Sequence, residues 1–210
     1  MPDFKYEQEF WEKEKIVAGA DEVGRGAFAG PVVAAAVILP QNITPEVVIN
    51  DSKKLTIAQR ECANVWIRNN AVGYGIGSGS VKMINSAGIM SAVHFAYRSA
   101  IYNLQISMNS RVQFLLVDAF YIPRIRGIPK SNQTPIIRGD SASISIAAAS
   151  IIAKVYRDDL MISLGSIIKN KPYKWHKNKG YGTKEHREVI AQIGSTIHHR
   201  TQYLKTSFLL

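Results

Sequence analysis

Ala18-Gly-Ala-Asp-Glu-Val-Gly-Arg-Gly26 is the stretch in which an apolar run beginning at Ile16 gives way to an acidic pair and then to glycines. An apolar run this short reads as a strand buried on two faces. Asp21 and Glu22 then stand at the rim of a sheet, where α/β proteins build their sites. Adjacent strand residues point to opposite faces. For both carboxylates to serve one site, the strand is expected to end at Asp21 and the chain to turn at Glu22, continuing through Gly24-Arg25-Gly26. Without side chains at 24 and 26, backbone N–H groups can approach a sugar or phosphate closely. Taken alone, the same letters also describe a tight turn beside an exposed acidic pair.

Working outward, residues 31–39 (Pro-Val-Val-Ala-Ala-Ala-Val-Ile-Leu) form a second buried strand. Residues 72–80 place glycine at every second position. A strand there carries Val72, Tyr74, Ile76 and Ser78 on one face and almost nothing on the other, so something packs closely against the bare face. Residues 56–69 have helical character, and apolar residues from Ile89 to Leu104 recur at three- and four-residue intervals, predicting one long amphipathic helix over about 85–106 that covers the sheet. Gln113-Phe-Leu-Leu-Val-Asp118 is a strand ending on a carboxylate, and Thr134-Pro-Ile-Ile-Arg-Gly-Asp140 is a further extended segment that does the same. A largely buried helix over 143–164 and a last helix over 183–193, N-capped by Thr183, complete the chain. The pattern predicts a mixed α/β sheet with helices packed on it, with residues 170–210 a small helical extension leaning on the main domain.

Three carboxylate sites, Asp21-Glu22, Asp118 and Asp140, therefore fall where strands give way to loops. Carboxylates that converge repel one another unless a cation lies between them. Oxygen ligands without histidine or thiolate favour Mg²⁺ or Mn²⁺, and such a site suits phosphoryl chemistry. No Gly-x-Ser-x-Gly elbow and no phosphate-binding Walker loop is present.

The partner is suggested by charge. A formal net charge of +10 suits a polyanion. Lys169-Asn-Lys-Pro-Tyr-Lys-Trp-His-Lys-Asn-Lys-Gly-Tyr181 adds a short stretch of lysines among aromatic rings, able to neutralise phosphates and to stack, or simply to be a solvated basic loop. No apolar run is long enough to span a bilayer, and the charged N-terminus is no secretory signal, so the cytoplasm is the expected location. Cys62 is alone and reads as an ordinary helical residue. No histidine is given a catalytic role, and His198-His199 are expected to face solvent. Asp158 and Asp159 read as helix-surface partners.

With these residues in view, the sequence resembles the ribonuclease HII family. Asp21-Glu22-Val-Gly-Arg-Gly26 is similar to that family's Asp-Glu-Ala-Gly-Arg-Gly signature, and Asp51-Ser-Lys-Lys-Leu55, Gly139-Asp140, Ser145-Ile-Ala-Ala-Ala-Ser-Ile-Ile-Ala-Lys-Val-Tyr-Arg-Asp158 and Lys179-Gly-Tyr-Gly-Thr-Lys-Glu-His186 match further blocks in order. The resemblance implies a ribonuclease H-like mixed five-stranded sheet flanked by helices over residues 1–169, with the helical extension 170–210 contributing to substrate binding. It implies an endonuclease, expected as a monomer, that cuts the RNA strand of RNA–DNA hybrids. Incision 5′ of single ribonucleotides in duplex DNA, leaving 3′-hydroxyl and 5′-phosphate ends, is implied as well. By motif position Asp21, Glu22, Asp118 and Asp140 would be the catalytic carboxylates binding Mn²⁺ or Mg²⁺. Gly24, Arg25 and Gly26 would contact the ribonucleotide, Tyr181 would stack at the junction sugar, and Lys53, Lys54 and Lys154 would contact phosphate or support the site. The sequence departs from the family pattern at Ala119, where bacterial members usually carry glycine, in a longer segment at 120–133, at Ala27-Phe28 and at Tyr156. A different carboxylate nuclease, such as a junction resolvase, and a non-catalytic nucleic-acid-binding protein are the alternatives. The Gly-Arg-Gly and Tyr181 blocks argue against the first and the four intact carboxylates against the second.

Overall fold

The structure is a computed structural model that describes residues 1–207, with side chains described through Leu204. An expected packed end at Phe208-Leu-Leu lies outside the described residues. In chain order the elements are α1 (Lys5–Trp11), β1 (Val17–Val23), β2 (Val32–Ile38), α2 (Ile57–Asn70), β3 (Gly73–Gly79), α3 (Val81–Ala87), α4 (Ile89–Met108), β4 (Phe114–Asp118), β5 (Gln133–Ile136), α5 (Ile144–Ser166), α6 (Trp175–Asn178), α7 (Lys184–Ile193) and α8 (Thr201–Ser207). The five strands form one sheet in the order β3-β2-β1-β4-β5. β1 runs antiparallel to β2 and β2 to β3, whereas β4 and β5 run parallel to β1. The sheet is thus mixed, as the sequence predicts.

β1 and β2 are buried along almost their whole length because helices cover both faces. On one face α4 packs Tyr97, Ile101 and Leu104 against Ala18, Ala34, Leu115 and Val117. On the other, α5 and α2 pack on Val33, Ala35 and Val37. The bare face of β3 meets α4: a Cβ at Gly75, Gly77 or Gly79 would fall into the backbone carbonyls of Ala100, Ala96 or Ala92. That contact brings α4 closer to the sheet than side-chain packing permits.

Two local expectations are corrected. The helix expected over 85–106 is two helices, because Gly88, at φ +82°, breaks the run between α3 and α4. The segment ending at Asp140 is not extended throughout. β5 stops at Ile136, Arg138 turns left-handed, and Gly139–Ser141 is a 3-10 turn. Near the N-terminus, α1 carries a fully buried Glu7. The Glu7 carboxylate accepts hydrogen bonds from Ser143 Oγ (2.6 Å) and from the Ser145 backbone N–H (2.9 Å). It therefore sits at the positive N-terminal end of α5, where a buried anion without a cation partner is stabilised. Among the described residues no helix is long and apolar enough to cross a membrane.

Candidate active site

The strand register sets the site. Ala20 pairs with Val117 across parallel β1 and β4, so the next residues, Asp21 and Asp118, emerge side by side where β4 ends and β1 runs on two residues further. β1 continues regularly through Val23, with Asp21 opposite Ala35 and Glu22 opposite Ala34. The turn expected at Glu22 is therefore absent and alternation holds. Asp21 faces α5, with Ser150 beside its carboxylate, and Glu22 faces α4, where Oε2 accepts from Tyr97 Oη at 2.6 Å. The two nonetheless line one cavity of about 550 Å³, because both lie at the rim beside the loop that follows β1.

Each carboxylate is held. Asp21 Oδ1 accepts from the Glu22 backbone N–H at 2.7 Å, and Asp118 Oδ1 accepts from the Gly139 N–H at 2.7 Å, which ties β4 to the turn carrying Asp140. Glu22 Oε1 lies 3.2 Å from Arg25 Nη1. Burial pushes Asp21 well above the ordinary carboxylate range, and the charges of Glu22 and Asp118 push it further against the pull of the Ser150 hydroxyl. Burial likewise raises Glu22, with Asp118 adding to it and Tyr97 and Arg25 opposing. Asp140 is raised by burial, then by Asp51 and Asp118.

Asp140 itself is buried and does not line the cavity; it stands beside Asp51, a carboxylate that sequence reasoning quoted in a motif but gave no role. Lys53 answers this acidity. Burial alone would lower its ammonium, but Asp51, Asp21, Asp140 and Asp118 together raise it.

The donor set fits a hard divalent cation in chemistry, being all oxygen and strongly anionic. Among the described residues no three acidic, histidine or cysteine side chains stand together as a preformed metal cage. Carboxylates with their charges unbalanced repel one another, and a dication reverses the sign of that interaction.

Of the other expected contacts, Gly24, Arg25, Gly26, Lys53, Lys154 and Tyr181 all line the cavity. Lys54 does not: its Nζ donates to Ser141 Oγ at 3.0 Å, next to Asp140 and outside the cavity wall. Lys154 is anchored one turn along α5 by Asp158 (2.8 Å), which supports the surface-pairing reading of Asp158 and places that pair at the cavity edge. Lys154 Nζ and the Arg157 guanidinium lie 5.8 and 5.3 Å from the Tyr181 ring centroid.

Two buried arginines were not legible as site residues. Arg157 donates to the carbonyls of Pro31 (3.0 Å), Lys179 (2.9 Å) and Ala29 (3.1 Å), and it lies directly under Gly24, whose φ is +90°. Arg200 donates to the carbonyls of Gly30 (2.9 Å) and Arg25 (2.8 Å), and Tyr203 Oη also donates to Arg25 O at 2.8 Å. Together they clamp the loop 24–30 between residues 179–181 and 198–200.

A buried histidine pair lies below. His199 is buried, not solvent-facing as expected. Its Nδ1 accepts from the Thr196 N–H (2.9 Å), so the proton sits on Nε2, 3.2 Å from His186 Nε2. His186 Nε2 also accepts from Trp175 Nε1 (3.1 Å), which leaves its Nδ1–H for the Tyr181 carbonyl (2.9 Å). Both rings are neutral; burial and the neighbouring His186 push His199 down to about 4.

Ala119, directly after Asp118, has φ +66°. A left-handed conformation costs a residue with a Cβ about 1 kcal/mol, which accounts for the glycine usual in the family pattern. Ala119→Gly is expected to raise the thermal midpoint by about 2 °C, since about 1 kcal/mol moves a chain of this size by that order. A lowered midpoint in a thermal melt would show that the alanine methyl makes contacts worth more than its strain.

Comparisons with known proteins identify the family and the fold. The family model described as Ribonuclease HII matches residues 18–209. A ribonuclease HII from Wolbachia pipientis subsp. Culex pipiens is 46% identical over 202 residues, covering 96% of this chain and 95% of the relative. Among solved structures, the ribonuclease HII in the PCNA complex from Archaeoglobus fulgidus superimposes with a TM-score of 0.73 at 23% identity, over 92% of this chain and 96% of that one. Bst-RNase HIII in complex with Mn²⁺ gives 0.71 at 16% identity, over 93% and 70%. These two likenesses show the ribonuclease H-like fold. Matched along nearly its whole length, the chain belongs to the ribonuclease HII family and is an endoribonuclease.

Proposed function

We propose that this protein hydrolyses the RNA strand of RNA–DNA hybrids and incises 5′ of single ribonucleotides embedded in duplex DNA, leaving 3′-hydroxyl and 5′-phosphate ends. The observation that carries the reading is that the Gly24-Arg25-Gly26 backbone opens onto the same cavity as Asp21, Glu22 and Asp118. The Arg25 carbonyl is already engaged by Arg200 and Tyr203, whereas the N–H groups of Arg25 and Gly26 donate to no acceptor among the described residues. A Cβ at Gly26 would meet nothing within 4 Å, so the backbone there faces open space. Free donors on an exposed backbone suit a 2′-hydroxyl, the group that tells RNA from DNA.

In this reading Asp21, Glu22, Asp118 and Asp140 hold the divalent cations, Mn²⁺ or Mg²⁺. A bound pair of such ions supplies an activated water and stabilises the leaving oxygen. Tyr97 keeps Glu22 oriented through its hydroxyl, and Lys53 balances the acidic rim. Tyr181, steadied by Arg157 and by His186 at its carbonyl, offers its ring to the sugar at the RNA–DNA junction. Lys154 meets a phosphate and Lys54 supports the Asp140 turn. Residues 1–169 form the catalytic unit, and residues 170–210 complete the substrate surface of a cytoplasmic monomer.

The test is a DNA duplex carrying one ribonucleotide beside an all-DNA control, each incubated with Mn²⁺ or Mg²⁺. Cutting 5′ of the ribonucleotide is expected, with the control cut at least about 10⁴-fold more slowly, the discrimination available to a site built to bond a hydroxyl. Equal cutting of both duplexes overturns the reading.

A further inference from the structure

The segment between Asp118 and β5 is built as a rigid wall. Ile122, Ile125 and Ile128 turn inward into the α4 core. Buried Gln133 accepts from the Ile122 N–H at 2.8 Å and donates to the Ile122 carbonyl at 2.9 Å. The intervening Arg124 and Arg126 are left exposed, and Arg124 is held at φ +59°, a conformation disfavoured for a side chain with a Cβ. With Arg98 and Arg111 they line a cavity of about 610 Å³ between this wall and α4.

No Asp or Glu lines that cavity, and among the described residues none of the four guanidiniums forms an ion pair. Four guanidiniums lining one cavity without a counter-charge suit a polyanion. Position says which polyanion. The wall starts at Asp118, the Arg25 guanidinium lies 6.0 Å from the Phe120 ring, and Arg98 follows Tyr97, whose hydroxyl holds Glu22. The groove thus begins beside the site at Arg98, and its far end at Asn109 lies about 18 Å further along α4, or about five nucleotide steps.

We propose that this arginine-lined groove is a second phosphate-binding site, which grips the backbone of the substrate duplex on one flank of the cut. It rests on the nuclease reading for its substrate but not for its readout, which is binding of duplex DNA with or without a ribonucleotide. Two duplexes are compared by fluorescence anisotropy across a salt series: a hairpin-closed one with about four base pairs either side of the labelled position, and one with about twelve, only the latter spanning the groove's length.

In the double variant Arg124→Ala, Arg126→Ala, the affinity for the long duplex is expected to fall about tenfold or more near 0.1 M salt. The slope of log affinity on log salt should become shallower by about two, one for each lost phosphate contact. Binding of the short duplex should fall by clearly less, and Lys at both positions should restore most of the loss. Unchanged binding of the long duplex overturns the proposal, including the case in which an acidic protein segment is the true occupant. So does an equal loss on both duplexes, with the thermal midpoint of the variant establishing that it is folded.

Discussion

Asp21→Asn is expected to lower the cleavage rate by a factor of about 10³ or more while leaving duplex binding intact, because losing one anionic ligand removes several kcal/mol from a metal-assisted step. The basic surface that binds the duplex is untouched. The amide can still accept from the Glu22 N–H beside Ser150, so the rim keeps its shape. A stability effect of opposite sign should accompany the loss. The Asp21 carboxyl is raised in the folded state, so its ionised form at neutral pH opposes folding, and that penalty disappears as the pH falls and the group takes up a proton. In metal-free buffer at neutral pH the Asn variant should therefore melt above the wild-type protein. Added Mn²⁺ should raise the wild-type midpoint and narrow or reverse that order, since a ligand that binds only the native state stabilises it. A variant that cleaves normally removes Asp21 from the site, and a folded variant that binds no duplex makes it a residue of the binding surface instead.

Gly24→Ala and Gly26→Ala should fail in different ways although the two glycines are two residues apart. At Gly24 the added methyl would occupy the Arg157 guanidinium, and φ is +90°. Arg157 cannot simply swing away, because its three carbonyl bonds hold the chain at Ala29, Pro31 and Lys179. Overpacking together with left-handed strain is expected to cost about 3 kcal/mol or more, a fall of the order of 10 °C in the thermal midpoint, with activity lost alongside. At Gly26 a methyl meets nothing within 4 Å and φ is not positive, so the midpoint should stay within about 1 °C. Cleavage at a single ribonucleotide should still fall, because the methyl projects where the sugar must come. Equal destabilisation by the two changes would show that the loop is held differently; a fully active Gly26→Ala would remove the close backbone approach from the mechanism.

Much of this was legible because period and chemistry agreed locally. The alternating glycines of β3, the Thr56 and Thr183 caps of α2 and α7, and the carboxylates at the ends of β1 and β4 each announce themselves within a few residues. The failures share a cause, which is distance along the chain. Whether β1 stops at Asp21 depends on Ala34 and Ala35 of β2 continuing the ladder, and nothing within residues 16–26 reports that. His199 looks like a surface residue until Trp175 and His186 fold over it. Arg157 and Arg200 give no sign of their part in the sequence because their acceptors, the carbonyls of residues 25–31 and 179, carry no signature there.

Those two arginines also determine how the protein should respond to its ionic surroundings. Exposed lysines lose their hold on phosphate as counterions accumulate, whereas a charge sealed in protein is screened much less. Arg157 and Arg200 are fully buried beneath the Gly24-Arg25-Gly26 loop, and among the described residues neither forms an ion pair with a carboxylate; their hydrogen bonds go to backbone carbonyls. The loop therefore rests on a permanent electropositive floor. On the proposed reading, attraction at the periphery should fade first as ionic strength rises, and contact at this loop should persist longest.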